Sequence, residues 1–259
     1  MKSNKLVYLV STNSRDISSL LNKVYEEIST KENIEFVISI QSDFSLDYKF
    51  NVEGLTLLRC HGDGLSANRN FVLSYFQANY KNSYGIITDD DVDFNHSLTY
   101  DLVKESFSNN SADIITGKIK IDSNNDYKTY RKNGHQHNQR SINSVSSIEI
   151  IVKSDIDFPF FDEEFGLGSK FKMGEEAIFL GDCLKKGLSV FYSPINLFYH
   201  PYESTGKSID ENWYLAKGAF YKRRYGFFWG LFLLVRVAFK MRSNISTSGF
   251  SSMIKGFCS

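Results

Sequence analysis

The N-terminal third of the chain alternates apolar runs with helical spacings. "KLVYLVST" is a short continuous apolar run and predicts a buried strand, and "RDISSLLNKVYEEIST" predicts an amphipathic helix after it. "IEFVISI" and "GLTLLRC" predict second and third strands. "SANRNFVLSYFQANY" has helical spacing at Phe71, Ser74/Tyr75 and Ala78, and "YGIIT" predicts a fourth strand. Strands alternating with helices predict an α/β fold with a mostly parallel central sheet flanked by helices. Ligands of such sheets bind beyond the carboxyl ends of the strands.

The middle is less regular. "ADIITGKIKI" and "SSIEIIVK" predict strands on either side of the polar stretch "DSNNDYKTYRKNGHQHNQRSIN", which predicts a mobile loop with His135 and His137 solvated. "FDEEFGLGSKFKMGEE" predicts a glycine-rich loop. A helix follows from about Glu175 to Lys186, with Ala177, Leu180 and Leu184 on one face and Gly187 as its C′ residue. "SVFYSPINLFYHP" predicts one or two short strands.

With 259 residues and 42% hydrophobic content, the chain can fill one large α/β core. Its 30 basic and 30 acidic residues balance overall, but none of the acids lies beyond Glu211 and eight bases do. Residues 1–211 thus carry a net −8 and the remainder +8. This places the main domain at 1–210 and a basic amphipathic tail at 211–259, suited to an anionic surface. The uncharged apolar run in the tail, Tyr225–Val235, has 11 residues, whereas a membrane span needs about 20. Basic flanks and aromatic residues instead predict an interfacial helix, with Lys222, Arg223 and Arg224 on lipid headgroups. A core helix with a basic outer face is the alternative. Cys60, Cys183 and Cys258 show neither metal-ligand spacing nor a disulfide pattern. "LVYLV" is too short for a secretory signal core, so a cytoplasmic protein is expected.

The candidate chemistry begins where "YGIIT" runs into Asp89, Asp90 and Asp91, with Asp93 close behind. The D-x-D-x-D spacing does not make a calcium loop. Phe94 stands where the sharp turn needs Gly, and Tyr100 where a bidentate Glu belongs. Nor is "PYESTGKS" a phosphate loop, because Pro201 occupies its first glycine position. A solvated helix cap would need only one or two of these acids, and like charges in one turn repel. A divalent ion, Mg²⁺ or Mn²⁺, offsets that repulsion and can carry a substrate's phosphates.

Four segments in order, "STNSRD", "GDGLSANRN", "TDDD" and "FDEEFGLGSKFKMGEEAIFLGDCLKKG", resemble those of family-two glycosyltransferases with the GT-A fold, the fold of nucleotide-diphospho-sugar transferases. The likeness covers about residues 5–205. It implies an enzyme that transfers a sugar from a nucleotide-diphosphate donor, most simply a UDP-sugar, without a covalent intermediate. Asp91 becomes the direct metal ligand, and Asp89 holds the ribose or a metal-bound water. Asp90 falls beside them in the donor motif, where solvation is the alternative, and Asp93 is read as solvated. Glu176 is favoured as general base over Glu175, although acids in a first helical turn also answer the helix dipole. The resemblance places Ser11, Arg15, Arg69 and either Asp43 or Gln41 on the donor side. Asp162, Gly166 and Gly168 fall on the acceptor side. His200 is a further metal or phosphate contact, with a structural histidine as the alternative. Family and tail together imply a lipid-linked glycan acceptor, as in bacterial surface-polysaccharide assembly. They also imply attachment at the inner face of the cell membrane and no nucleic-acid partner. A nucleotidyltransferase should carry a glycine-rich loop after the first strand, and "STNSRD" has no glycine. A non-catalytic adaptor of like fold would be expected to lose the aspartates or the glutamate pair, and both are present.

Overall fold

The computed structural model describes residues 1–13, 17–41, 52–200, 210–240 and 246–259. Its strands are β1 (Lys2–Ser3), β2 (Leu6–Thr12), β3 (Ile34–Ile40), β4 (Leu55–Arg59), β5 (Tyr80–Lys81), β6 (Tyr84–Thr88), β7 (Asp93–Phe94), β8 (Ile114–Lys120), β9 (His135–Gln136), β10 (Ile150–Lys153) and β11 (Val190–Tyr199). Its helices are α1 (Ser18–Thr30), α2 (Leu65–Asn79), α3 (Tyr100–Asn110), α4 (Glu175–Lys185), α5 (Glu211–Lys240) and α6 (Thr247–Cys258).

The main sheet runs β4-β3-β2-β6-β10-β8-β11-β7, with β9 paired to β11. The first four strands of that order are parallel, as alternating strands and helices require. β10 enters antiparallel between β6 and β8, and β11 returns parallel to β8. Every residue of β2 is buried, because successive side chains point to opposite, covered faces. Tyr8 and Val10 pack with Leu21 and Val24 of α1 and Val103 and Phe107 of α3. Val7 and Leu9 pack with Leu73 and Phe76 of α2 and Phe179 and Leu180 of α4. Register pairs Thr12 with Ile40 and Val10 with Thr88, so β2, β3 and β6 end side by side. The chain leaving those ends carries Asn13, Gln41 and Asp89 to Asp91.

Several local expectations differ from the structure. α2 forms, but its buried face is Val72, Leu73 and Phe76 with Asn68 and Arg69, while Phe71 is exposed. The polar segment before β10 is folded onto the body. Buried Glu149 accepts from Lys128 Nζ at 2.7 Å and from the Tyr130 hydroxyl. His137 is not solvated. It is buried, with Nε2 2.9 Å from Thr116 Oγ1 and Nδ1 2.9 Å from Ser141 Oγ, and burial pulls its pKa down to about 4. His135 is partly buried, with its ring 4.9 Å from that of His137 and tilted 56° to it. Polar composition concealed this because the partners are themselves polar side chains.

The tail is a small helical bundle. α5 breaks at Gly226, whose φ of 74° favours glycine. The second half folds back on the first, and a Cβ on Gly230 would sit 2.6 Å from the Tyr221 carbonyl oxygen. α6 packs with its backbone against α5. A Cβ on Gly218 would lie 1.9 Å from the Met253 carbonyl oxygen, and one on Gly256 would lie 1.9 Å from that of Leu215. Gly218→Ala is therefore expected to cost about 1–3 kcal/mol, the range for overpacking. Thermal unfolding and proteolysis at α6 check this, and an unchanged melting temperature would contradict the packing.

Of the three bases expected on headgroups, two are engaged by the protein. Arg223 pairs with Asp162 at 2.5 Å and with Asp182 at 2.6 Å. Arg224 is buried and donates to the Gln139 carbonyl at 3.2 Å. The apolar run is nonetheless not buried on the sheet. Phe228 is 85% and Trp229 70% exposed, and Phe227, Phe232 and Phe239 are also open. No helix among the described residues is long and apolar enough to cross a membrane.

Candidate active site

Two cavities meet at the carboxyl edge of the parallel strands. The smaller, about 290 Å³, lies between the ends of β2, β3 and β6 and the start of α2. Ser11, Thr12 and Asn13 form one wall, Gln41 and Asn68 another, and Asp89, Asp90 and Asp91 a third. Local hydrogen bonds fix this frame. The Thr12 hydroxyl donates to Asp90, tying the aspartate turn to β2. Gln41 Nε2 donates to the Gly62 carbonyl and, at 3.2 Å, to that of Gly64. Asn68 Nδ2 bridges the Thr12 and Ser39 carbonyls at 3.1 and 3.2 Å. Ser11 Oγ and Asn68 Oδ1 are buried beside this cavity and lack a protein partner among the described residues. Asp93 instead pairs with Lys23 at 2.5 Å on the surface.

The glycine-rich loop closes over this frame. The Leu65 amide donates to the Leu167 carbonyl at 2.8 Å. Gly168 has φ 79°, and a Cβ there would sit 3.0 Å from Gly64 Cα. A Cβ on Gly166 would press on Ser66 Oγ at 2.8 Å and on the Glu175 carboxyl carbon at 3.3 Å. Both glycines thus allow protein backbone to approach protein. Asp162 is held by Arg223 and lies outside both cavities.

The larger cavity, about 880 Å³, continues from the first and shares Leu65, Asp89 and Leu167 with it. Its floor is an ion cluster around Arg69. The guanidinium is buried and donates to Asp89 at 3.0 Å and to Ser147 Oγ at 2.7 Å. Glu175 and Glu176, in the first turn of α4, stand 3.7 and 3.9 Å from it. The three carboxylates hold the Arg69 pKa above its ordinary value against the effect of burial. Glu176 is raised to about 7, first by burial and then by Glu175, with Arg69 opposing. It can therefore exchange a proton near neutral pH.

That shift links stability to pH. A carboxyl with a raised folded-state pKa favours folding while protonated and loses that contribution as pH rises through the folded value. Glu176→Gln should therefore stabilise the protein at pH 8 by about 1–3 kcal/mol and by less at pH 5. Thermal unfolding at both pH values checks this, and an equal difference at both would contradict it.

Asp91 Oδ2 lies 3.5 Å from His200 Nε2, at the end of β11. Two ligands of one octahedral ion lie roughly 3 Å apart, so this pair can share a cation. An imidazole beside a carboxylate favours a transition metal over Mg²⁺, and two ligands leave most of a coordination shell open. Asp89 is taken by Arg69, and among the described residues no group of three or more His, Cys, Asp or Glu could hold a metal alone. Arg15, Asp43 and the segment "PYESTGKS" lie outside the described residues.

Thr12 and Asn13 join the smaller cavity without any sequence signal beyond their nearness to the end of β2, and Asn68 joins it from within the segment "GDGLSANRN". The wall of the larger cavity leaves no local signature in the sequence. Trp213, Lys217, Phe220, Tyr221 and Tyr225 come from the first half of α5, whose charge and apolarity point to a membrane instead.

The fold is GT-A-like. The chain resembles a solved S. aureus TarS fragment spanning residues 1–349, at TM-score 0.53 and 14% identity, over 86% of this chain and 65% of that one. A longer S. aureus TarS structure matches at TM-score 0.53 and 16% identity, over 85% of this chain and 39% of that one. A mycobacterial protein matches at TM-score 0.51 and 9% identity, over 85% and 75% of the two chains. The chain thus spans less than two thirds of either TarS structure. No family model and no curated protein matches it.

Proposed function

We propose that the chain is a metal-dependent, inverting glycosyltransferase. It moves a sugar from a nucleotide-diphosphate donor, a UDP-sugar, to a hydroxyl of a lipid-linked glycan in surface-polysaccharide synthesis. One observation carries the proposal: the strand-end aspartates and the Glu175–Glu176 pair occupy two contiguous cavities that share Asp89. The GT-A-like fold shared with the TarS structures agrees with this class.

In this account the nucleotide lies against Ser11, Gln41 and Asn68. Asp91 and His200 would hold Mn²⁺ or Mg²⁺, which when bound neutralises charge on the leaving diphosphate. Glu176 takes the acceptor hydroxyl proton as the oxygen bonds the anomeric carbon. The bond to the diphosphate breaks in the same displacement, and its electron pair leaves with the phosphate. Arg69 is a positioning residue that holds Asp89, Glu175 and Glu176 in one cluster. Thermal shift across a panel of nucleotide sugars tests donor recognition. One donor should raise the melting temperature with Mn²⁺ and much less with EDTA, and no shift with any donor would count against the proposal.

The exposed aromatic face of α5 supports attachment to an anionic membrane at the cytoplasmic side. Arg236, Lys240 and Lys255 are exposed on the same bundle and replace Arg223 and Arg224 as the headgroup contacts. At roughly 1 kcal/mol per charge, replacing all three with Gln should weaken binding to anionic vesicles about a hundredfold at low salt. Co-sedimentation measures this. Equal binding of the wild type to neutral vesicles, or none at low salt, would contradict membrane attachment through these charges.

A further inference from the structure

We propose that α5 builds the acceptor site, and that this site takes a sugar ring carried next to an anionic group. The inference rests on the transferase function above and names the acceptor chemistry of the larger cavity. Residues 213, 217, 220, 221 and 225 form one helical stripe along that cavity, facing the Arg69 cluster. The other side of the same half-helix packs, with Ala219 against Phe165, Phe171 and Ile178 and Gly218 against α6, and Phe220, Trp213 and Tyr221 are each anchored in part by these apolar clusters. The stripe is therefore a built wall.

Four of its five residues are aromatic, and flat aromatic faces suit the C–H faces of a pyranose. The fifth is Lys217. Its ammonium sits 4.0 Å over the Trp213 ring, and burial lowers its pKa, with no ion-pair partner within 4.0 Å among the described residues. None of the acids that line the cavity pairs with Lys217 among the described residues. Asp89, Glu175 and Glu176 surround Arg69, and Asp210 Oδ1 accepts from the Trp213 amide at 2.8 Å. Lys172 lines the same cavity from the glycine-rich loop. A half-buried ammonium without a counter-charge is costly, and an anionic ligand removes that cost. Tyr225, at the end of the stripe, is followed directly by Gly226 and the exposed Phe227, Phe228 and Trp229. A phosphate that joins a sugar to a lipid would lie beside Lys217 and Trp213, and the lipid would lead along the stripe past Tyr225 toward these exposed rings. A carboxylate on the sugar would satisfy Lys217 equally.

Trp229→Phe leaves Trp213 as the only tryptophan, so its fluorescence reports on the wall. In that background, titration would use an octyl-diphosphate-linked N-acetylglucosamine, octyl glucuronide and octyl glucoside, all below their micelle concentrations. Both anionic probes should bind more tightly than octyl glucoside. Lys217→Gln should weaken the anionic probes about tenfold, and Lys217→Arg should restore them. Whichever anionic probe binds more tightly identifies the source of the charge, and either result supports the subsite. Equal affinity for octyl glucoside, or an unchanged affinity in a Lys217→Gln protein that melts like its parent, would overturn it. Nucleotide-sugar hydrolysis by the wild type is read in parallel. Its absence with probe binding intact would sink the transferase function and leave the anion subsite standing.

Discussion

Asp91→Asn is expected to lower metal-stimulated donor turnover by about 10³-fold, the scale of several kcal/mol that electrostatic stabilisation of a leaving group supplies. Asp91 is 59% exposed at its side chain, and its Oδ2 lies 3.5 Å from His200 Nε2. The substitution keeps the size of the side chain and removes its charge, so the fold should survive. The acidic turn also repels itself, and losing one charge there does not weaken the apo protein. Turnover measured over a Mn²⁺ titration distinguishes a weakened site from a lost one. Wild-type rates at saturating metal would show that Asp91 is not a ligand.

Glu176→Gln is expected to lower transfer to an acceptor by about 10²-fold or more, the contribution of a general base. Donor affinity should change little, because the smaller cavity is lined by the end of β2, Gln41, the start of α2, the aspartate turn and the glycine-rich loop, without Glu176. With Glu176 raised to about 7, wild-type transfer should rise with pH through neutrality and then level off. Glu175→Gln is expected to do less. Its carboxylate is buried against Gly166, and its place in the cluster is to balance Arg69. A larger loss for Glu175→Gln than for Glu176→Gln would reverse the two roles.

The sequence makes the sheet legible because the apolar runs of β2, β3, β4 and β6 are continuous and the spacers are helical. β10 reads as a strand, but its antiparallel insertion between β6 and β8 is set by tertiary pairing and leaves no local signature. The aspartate turn and the glutamate pair are visible as charge clusters at element boundaries. Their union through Arg69 is not, since a lone arginine on a helix usually faces solvent. The role of α5 is hidden for a different reason. One stripe of the helix faces a cavity, the opposite face packs, and after Gly226 the next stretch faces outward, so the composition averages three environments. Arg223 and Arg224 add to a basic count that suggests lipid, although their partners are Asp162, Asp182 and the Gln139 carbonyl.

Turnover of a panel of UDP-sugars by the purified protein, with Mn²⁺ or EDTA and with the wild type beside Asp91→Asn, tests the central claim most directly. The expected result is UDP release from one donor that depends on Mn²⁺, rises when a glycan acceptor is added, and falls about 10³-fold in the variant. UDP release that is equal in EDTA and in Mn²⁺, or equal in wild type and variant, would contradict it.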